Sequence, residues 1–211
     1  ILQVREGAGA RYSLWSADGV RPALALGWEM FEELLERGAE MDRHFRFAQP
    51  HRNAPLLAAF ADRLYVRKFG CQTRAVFPYD ERLRLLPAYL QQLEMESNGK
   101  SVAADGRRLD RPSAPVTWGG TGTDPEHAVF GLLHQGTVLV PTEFVAVRDA
   151  DHSLDGEHHR QLLLNAFAQG AALMRGRDSG DPHRRNAGDR PSATLQLPAG
   201  LHLGGDVHRV G

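Results

Sequence analysis

Short apolar runs alternate with amphipathic helical segments along most of this chain, and that alternation leaves few folds open to it. TRAVFP at 73–78, VTW at 116–118 and a run at 137–147 interrupted by Pro141 each read as a strand bounded by turn residues. Helical patterns separate them. Strands spaced by helices in this way predict an α/β layer with a mostly parallel sheet.

The helices are legible from periodicity and punctuation. Residues 23–37 carry Leu24, Trp28, Phe31 and Leu35 at helical spacing, with Glu32, Glu33 and Glu36 on the wet face and Gly38 as the stop. A short turn at 41–47 follows. Asn53 caps a helix whose first turn holds Pro55, and Leu57, Phe60, Ala61 and Leu64 mark its buried side. Leu83, Leu86, Leu90 and Leu93 form another stripe, with Pro87 predicting a kink or break. Asp124-Pro125 reads as a capping carboxylate before a first-turn proline, opening a helix that ends at Gln135-Gly136. The longest helix spans 157–175, with Leu162, Leu163, Ala166, Phe167, Ala171 and Leu173 giving it a buried character. Beyond it, 176–189 is dense in Arg, Asp, Gly and His and reads as an exposed loop or linker, and 192–197 offers one more strand.

Composition excludes several classes of function. The 211 residues hold 26 acidic and 25 Lys or Arg side chains, so there is no basic footprint of a nucleic-acid binder. No apolar run approaches the length of a membrane span. The single cysteine, Cys71, forms no internal disulfide; it reads as a small buried residue and fits a reducing cytosol. His127 and His134 lie seven apart without a third ligand at supporting spacing, so no metal site is expected, and His158-His159 suggests none either. The start at Ile1 and the unfinished stretch ending in Gly211 suggest that both ends are cut.

Several segments then point one way. GARYSLWSA (9–17), FGCQTRAVFPYD (69–80), QQLEMESNGKSV (91–102), VTWGGTGTDPEHAVFGLLHQGT (116–137), VPTEF (140–144) and HHRQLLLNAFAQGAALMRGR (158–177) resemble, in order and spacing, the glucose-6-phosphate isomerases. The resemblance covers roughly 9–177 and returns weakly at GDRPSATLQLP. It implies a three-layer αβα sandwich of the sugar-isomerase type, incomplete at both ends. Residues 1–177 would form part of the family's second such domain, and 178–211 a linker with a poorly matching tail. It also implies a cytoplasmic homodimer of glycolysis and gluconeogenesis that interconverts glucose 6-phosphate and fructose 6-phosphate without a cofactor.

That reaction moves a proton between C1 and C2 of an open-chain sugar through a cis-enediol. It needs a base beside the carbon, a cation for the developing oxyanion, and an acid/base that opens the ring. By the resemblance, Glu96 of MESNGK is the proton-transferring base, a role that partial burial would favour. Gln92, four residues earlier and on the same helical face, contacts the substrate. Arg11 binds substrate and stabilises the enediolate, and His127 opens the ring in the partner subunit's site.

On residues alone the same four read as a solvated helix-end carboxylate, a surface amide, a loop arginine and a histidine helping to cap a helix. Two departures stand out: Gly9-Ala10 precedes Arg11 where the family shows two glycines, and Glu126 precedes His127 where it more often has glutamine. GGTG at 119–122 before a helix would ordinarily suggest a phosphate site, but the family holds its phosphate with Ser/Thr residues of a first domain that this chain lacks. The family's final signature, whose lysine assists ring opening, is absent as well, and Asp18 and Arg21 fall where the family is apolar. The alternative function is a non-catalytic sugar-phosphate-binding module. The joint presence of Glu96, Gln92, Arg11 and His127 favours the enzyme, because a binding module needs no base.

Overall fold

The structure is a computed structural model that describes residues 10–148, 154–186 and 188–197, without the side chains of Ala10, Arg11 and 195–197. The described residues divide into two compact units near residue 57.

The first unit is helical. Turns of 3-10 helix at Ala10–Trp15 and Ala17–Gly19 lead into α1, Val20–Leu26, and then α2, Trp28–Phe47. The predicted helix at 23–37 is thus two helices. They break at Gly27, whose φ of 87° an L side chain rarely adopts. Gly38 does not end α2: it lies within the helix, where a Cβ would come within 2.7 Å of the Trp15 ring, so close packing explains the glycine. Of the apolar stripe, Phe31 is buried while Leu24 and Trp28 are exposed. Asn53 caps α3, Ala54–Arg67, as its position suggested: Oδ1 accepts from the Leu56 amide at 3.2 Å and Nδ2 donates to the Phe45 carbonyl at 2.7 Å.

The second unit is built on a four-stranded, wholly parallel sheet in the order β2-β1-β3-β4. The strands are β1, Thr73–Tyr79; β2, Val116–Gly119; β3, Thr142–Val147; and β4, Ser192–Leu197. Residues 137–140 stay outside the sheet, and only the Pro141 carbonyl joins it, accepting from the Ala75 amide at 2.9 Å. The helices are α4, Leu86–Gln91; α5, Glu126–Gln135; and α6, Gly156–Arg175.

Alternate residues of β1 point to opposite faces, and both faces are buried. Ala75, Phe77 and Tyr79 join Phe144, and α5 and α6 close that side with Phe130, Leu133, Ala166 and Leu173. Phe77 stands 5.0 Å from Phe130 and 6.2 Å from Phe144, ring centre to ring centre. Each such side chain contributes roughly 1.5–3 kcal/mol by leaving water. The other face, with Arg74, Val76 and Pro78, takes α4 and Asp62 of α3. The three-layer αβα arrangement is therefore present.

Three sequence expectations fail on burial or capping. Leu57, Phe60, Ala61 and Leu64 of α3 are exposed, and so is Ala171 of α6. Apolar periodicity identifies a helix and one of its faces but not what covers that face. Asp124 is not the cap of α5; Pro125 holds that position without a side-chain hydrogen bond. At 176–190 the chain turns back on itself through an Arg177–Asn186 bridge, and Arg190 donates to the carbonyls of Val138 and Gly136.

Candidate active site

The helix that follows β1 changes pitch where two of the predicted site residues lie. Asp80 accepts from the Arg82 amide and starts a 3-10 turn, Pro87 sits buried in the first turn of α4, and α4 then widens into a π-helical turn, Gln92–Glu96. Such turns are rare and concentrate at functional sites. This one is gripped from inside by its central residue: Glu94 Oε1 lies 2.9 Å from Nη2 of Arg74, and Oε2 accepts from the Thr117 hydroxyl at 3.2 Å. Arg74 also meets Asp62 Oδ2 at 2.8 Å. Burial pushes the carboxyls of Asp62, Glu94 and Glu143 above the ordinary carboxylate range, and the nearby Arg74 guanidinium offsets this only in part.

Gln92 and Glu96 flank that anchor, and both are exposed. Four positions apart, they project to the same side of the turn. The expectation of a partly buried Glu96 is not met within this chain. The Lys100 ammonium donates to the Glu96 backbone carbonyl, closing the end of the turn. Beside it, a cleft of about 250 Å³ is lined by Asp62, Arg63, Glu94, Asn98, Ser113 and Pro115.

His127 is held at the opposite end of β1. The chain leaves β2 at Gly119, where a Cβ would lie 1.9 Å from the Val76 carbonyl oxygen, so only glycine fits. The Gly122 amide then donates to the Pro78 carbonyl at 2.7 Å, bringing the first turn of α5 over the strand end. There the Tyr79 hydroxyl donates to Glu126 Oε1 at 2.9 Å. Burial first, and the Glu126 carboxylate second, push the Tyr79 hydroxyl far up. A carboxylate in the first turn also suits the positive end of the helix. His127, the next residue, is exposed.

Arg74 and Tyr79 are separated by roughly 16 Å at about 3.3 Å per residue. Within one chain, the turn carrying Glu96 and the helix carrying His127 therefore lie at opposite ends of β1, and the structure does not bring them together. Arg11 has its backbone in the 3-10 turn of the first unit, and its side chain lies outside the described residues. His134 Nε2 pairs with Gln169 at 3.0 Å and His159 Nε2 with the Arg148 carbonyl at 3.1 Å, so each has a structural engagement. Among the described residues, no group of three or more His, Cys, Asp or Glu side chains is arranged to hold a metal ion.

Sequence reading missed Arg74, Glu94, Thr117 and Glu143. One signal was available: a charged residue inside an apolar strand must be paired when the strand is buried, and both Arg74 and Glu143 meet that description.

Over residues 1–200 the chain matches the family model of phosphoglucose isomerase. It belongs to the phosphoglucose isomerase family. The glucose-6-phosphate isomerase of Rhizorhabdus wittichii is 66% identical over 197 residues, covering 93% of this chain and 39% of that protein. That of Zymomonas mobilis is 64% identical with the same coverage of 93% and 39%. A crystal structure of a glucose-6-phosphate isomerase from Chlamydia trachomatis superposes with a TM-score of 0.84 at 36% identity, over 92% of this chain and 39% of that one. The chain thus spans about two fifths of the length of these relatives. A hypothetical protein of Thermus thermophilus, TT0462, shares the fold with a TM-score of 0.66 at 21% identity, over 89% of this chain and 43% of that one.

Proposed function

We propose that this chain is the part of a glucose-6-phosphate isomerase subunit that carries its proton-transfer base. The observation that bears most weight is the π-helical turn, which presents Gln92 and Glu96 side by side on an exposed face in a member of this family. In the reading we favour, Glu96 takes the proton from C2 of open-chain glucose 6-phosphate, the electron pair forms the C1–C2 double bond, and the carbonyl oxygen becomes the enediolate oxygen. With the proton of the C2 hydroxyl passed to O1, protonation at C1 by the same carboxyl and re-formation of the carbonyl at C2 give fructose 6-phosphate. Arg11 stabilises the oxyanion and Gln92 orients the sugar.

Ring opening falls to His127, acting on sugar bound by a second copy of the chain. The separation of His127 from Glu96 along β1 supports that division and, with it, a homodimer. A cytoplasmic place in glycolysis and gluconeogenesis agrees with the single buried cysteine.

The test is Glu96→Gln in the full-length subunit, assayed by coupling glucose 6-phosphate formation to its dehydrogenase. Loss of turnover by about 10³-fold or more, with substrate binding retained, is the expected result. Unchanged turnover would remove the base assignment. Phosphosugar binding without turnover in the unmutated subunit would instead make it a binding module. The 211-residue chain by itself is expected to show no turnover.

A further inference from the structure

Glu94 is the middle residue of the π-helical turn, and it alone of Gln92, Glu94 and Glu96 is turned inward and partly buried. Backbone of α or π type advances roughly 80–100° per residue, so residues two positions away project about 160–200° from it. Fixing Glu94 inward therefore fixes Gln92 and Glu96 outward. The grip is stiff. Thr117 is fully buried in β2, and the Arg74 side chain is only 9% exposed. The Arg74 guanidinium is itself braced by Asp62 at 2.8 Å, so its two terminal nitrogens are each held by a carboxylate. A carboxylate between two rigid donors, both on adjacent strands, cannot rotate without breaking one contact.

We propose that Glu94, held by Arg74 and Thr117, is a positioning residue that sets the rotation of the π-helical turn and so aims Glu96 at the carbon that loses its proton. The inference rests on the reading of Glu96 as the base and extends it to residues that touch no substrate. A turn freed by a lost contact moves an outward carboxylate at its full distance from the helix axis, so even a small rotation displaces it by about 1 Å. Misplacement on that scale costs proton transfer on the order of 10²-fold while leaving substrate binding nearly intact.

The experiment uses the full-length subunit with Glu94→Ala, Glu94→Gln and Thr117→Val, measuring kcat, KM and the kinetic isotope effect with glucose 6-phosphate deuterated at C2. Glu94→Ala is expected to lower kcat about 10- to 100-fold with KM within about threefold, and to enlarge the isotope effect as proton transfer becomes slower than the other steps. Glu94→Gln, which retains an oxygen for Arg74, should recover part of the loss. Thr117→Val, an isosteric change that removes one contact, should lower kcat about 3- to 10-fold and enlarge the isotope effect likewise. A residue important only for folding would reduce the active fraction and leave the isotope effect unchanged. Thr117→Val with the parent's kcat and isotope effect overturns the inference, even if Glu94→Ala fails to fold. Glu96→Gln run beside them separates the two claims: if it retains turnover the base assignment fails, and if it is inactive while Glu94→Ala and Thr117→Val turn over like the parent, only the positioning claim falls.

Discussion

Removing one oxygen, by Tyr79→Phe, tests the packing at the His127 end of the sheet. The ring is fully buried and would keep its contact with Phe144, so packing is conserved and the lost quantity is the hydrogen bond to Glu126. Bonds to charged partners contribute about 1.5–3 kcal/mol, and Glu126 is partly exposed, which points to the lower end, about 1.5 kcal/mol at neutral pH. The pH dependence supplies a second, independent signature. The folded hydroxyl is held far above the ordinary tyrosine value of about 10, so above that pH the unfolded chain releases a proton that the folded chain keeps. Stability of the parent then falls by about 1.4 kcal/mol per pH unit through this group, and Tyr79→Phe escapes that loss. The two curves should meet close to pH 11 and cross beyond it. Urea unfolding followed by circular dichroism from pH 7 to 11.5 measures both effects. A variant within 0.5 kcal/mol of the parent at pH 7, or a difference that does not shrink with rising pH, would refute the reasoning.

Other consequences are simpler to check. Gly119→Ala places a Cβ 1.9 Å from the Val76 carbonyl oxygen in the β1–β2 pairing, so it should lose about 2–3 kcal/mol or more in denaturant unfolding. Glu143→Gln should raise the urea midpoint at pH 7 but not near pH 4. Burial raises this carboxyl's folded pKa, so the stabilisation by proton uptake is present below the ordinary carboxylate range and lost as pH rises through the folded value; a neutral amide removes that loss. Arg190→Met removes the donors to the Gly136 and Val138 carbonyls and should cost about 1–2 kcal/mol, with faster proteolytic cleavage in the 176–190 loop.

The strands were the most readable part of this sequence, because a strand buried on both faces is a compact apolar run and its neighbours are turn residues. Asn53 and Ser192–Leu197 also behaved as their local chemistry suggested. What periodicity could not supply was pitch and partner. Leu86, Leu90 and Leu93 fit an α-helix as well as a helix that widens after Gln91, since the two differ by a single residue per turn. Asp124 has the composition of a cap, yet the turn that brings Gly122 onto Pro78 shifts the helix start past it. The Arg74–Glu94–Thr117 cluster joins residues about twenty positions apart and leaves no local pattern; only the oddity of a charge within a strand marks it.

The placement of Glu96 and His127 also makes a quantitative demand on the proposed homodimer. If both served one sugar within one chain, a subunit lacking either would have a dead site whatever its neighbour carried. If His127 serves a neighbouring chain's Glu96, mixing Glu96→Gln subunits with His127→Asn subunits creates dimers in which one site has lost both groups and the other has kept both. Random association of equal amounts makes half of the dimers mixed, each with one intact site of two, so about a quarter of the parent activity should return from two inactive preparations. Dissociating and reassociating the two full-length variants together, against each handled alone, provides the measurement. Recovery near that level requires the roughly 16 Å between the ends of β1 to be spanned by two chains rather than one, and activity that stays at the sum of the separate variants would place both groups at one intrachain site, against the geometry of the sheet.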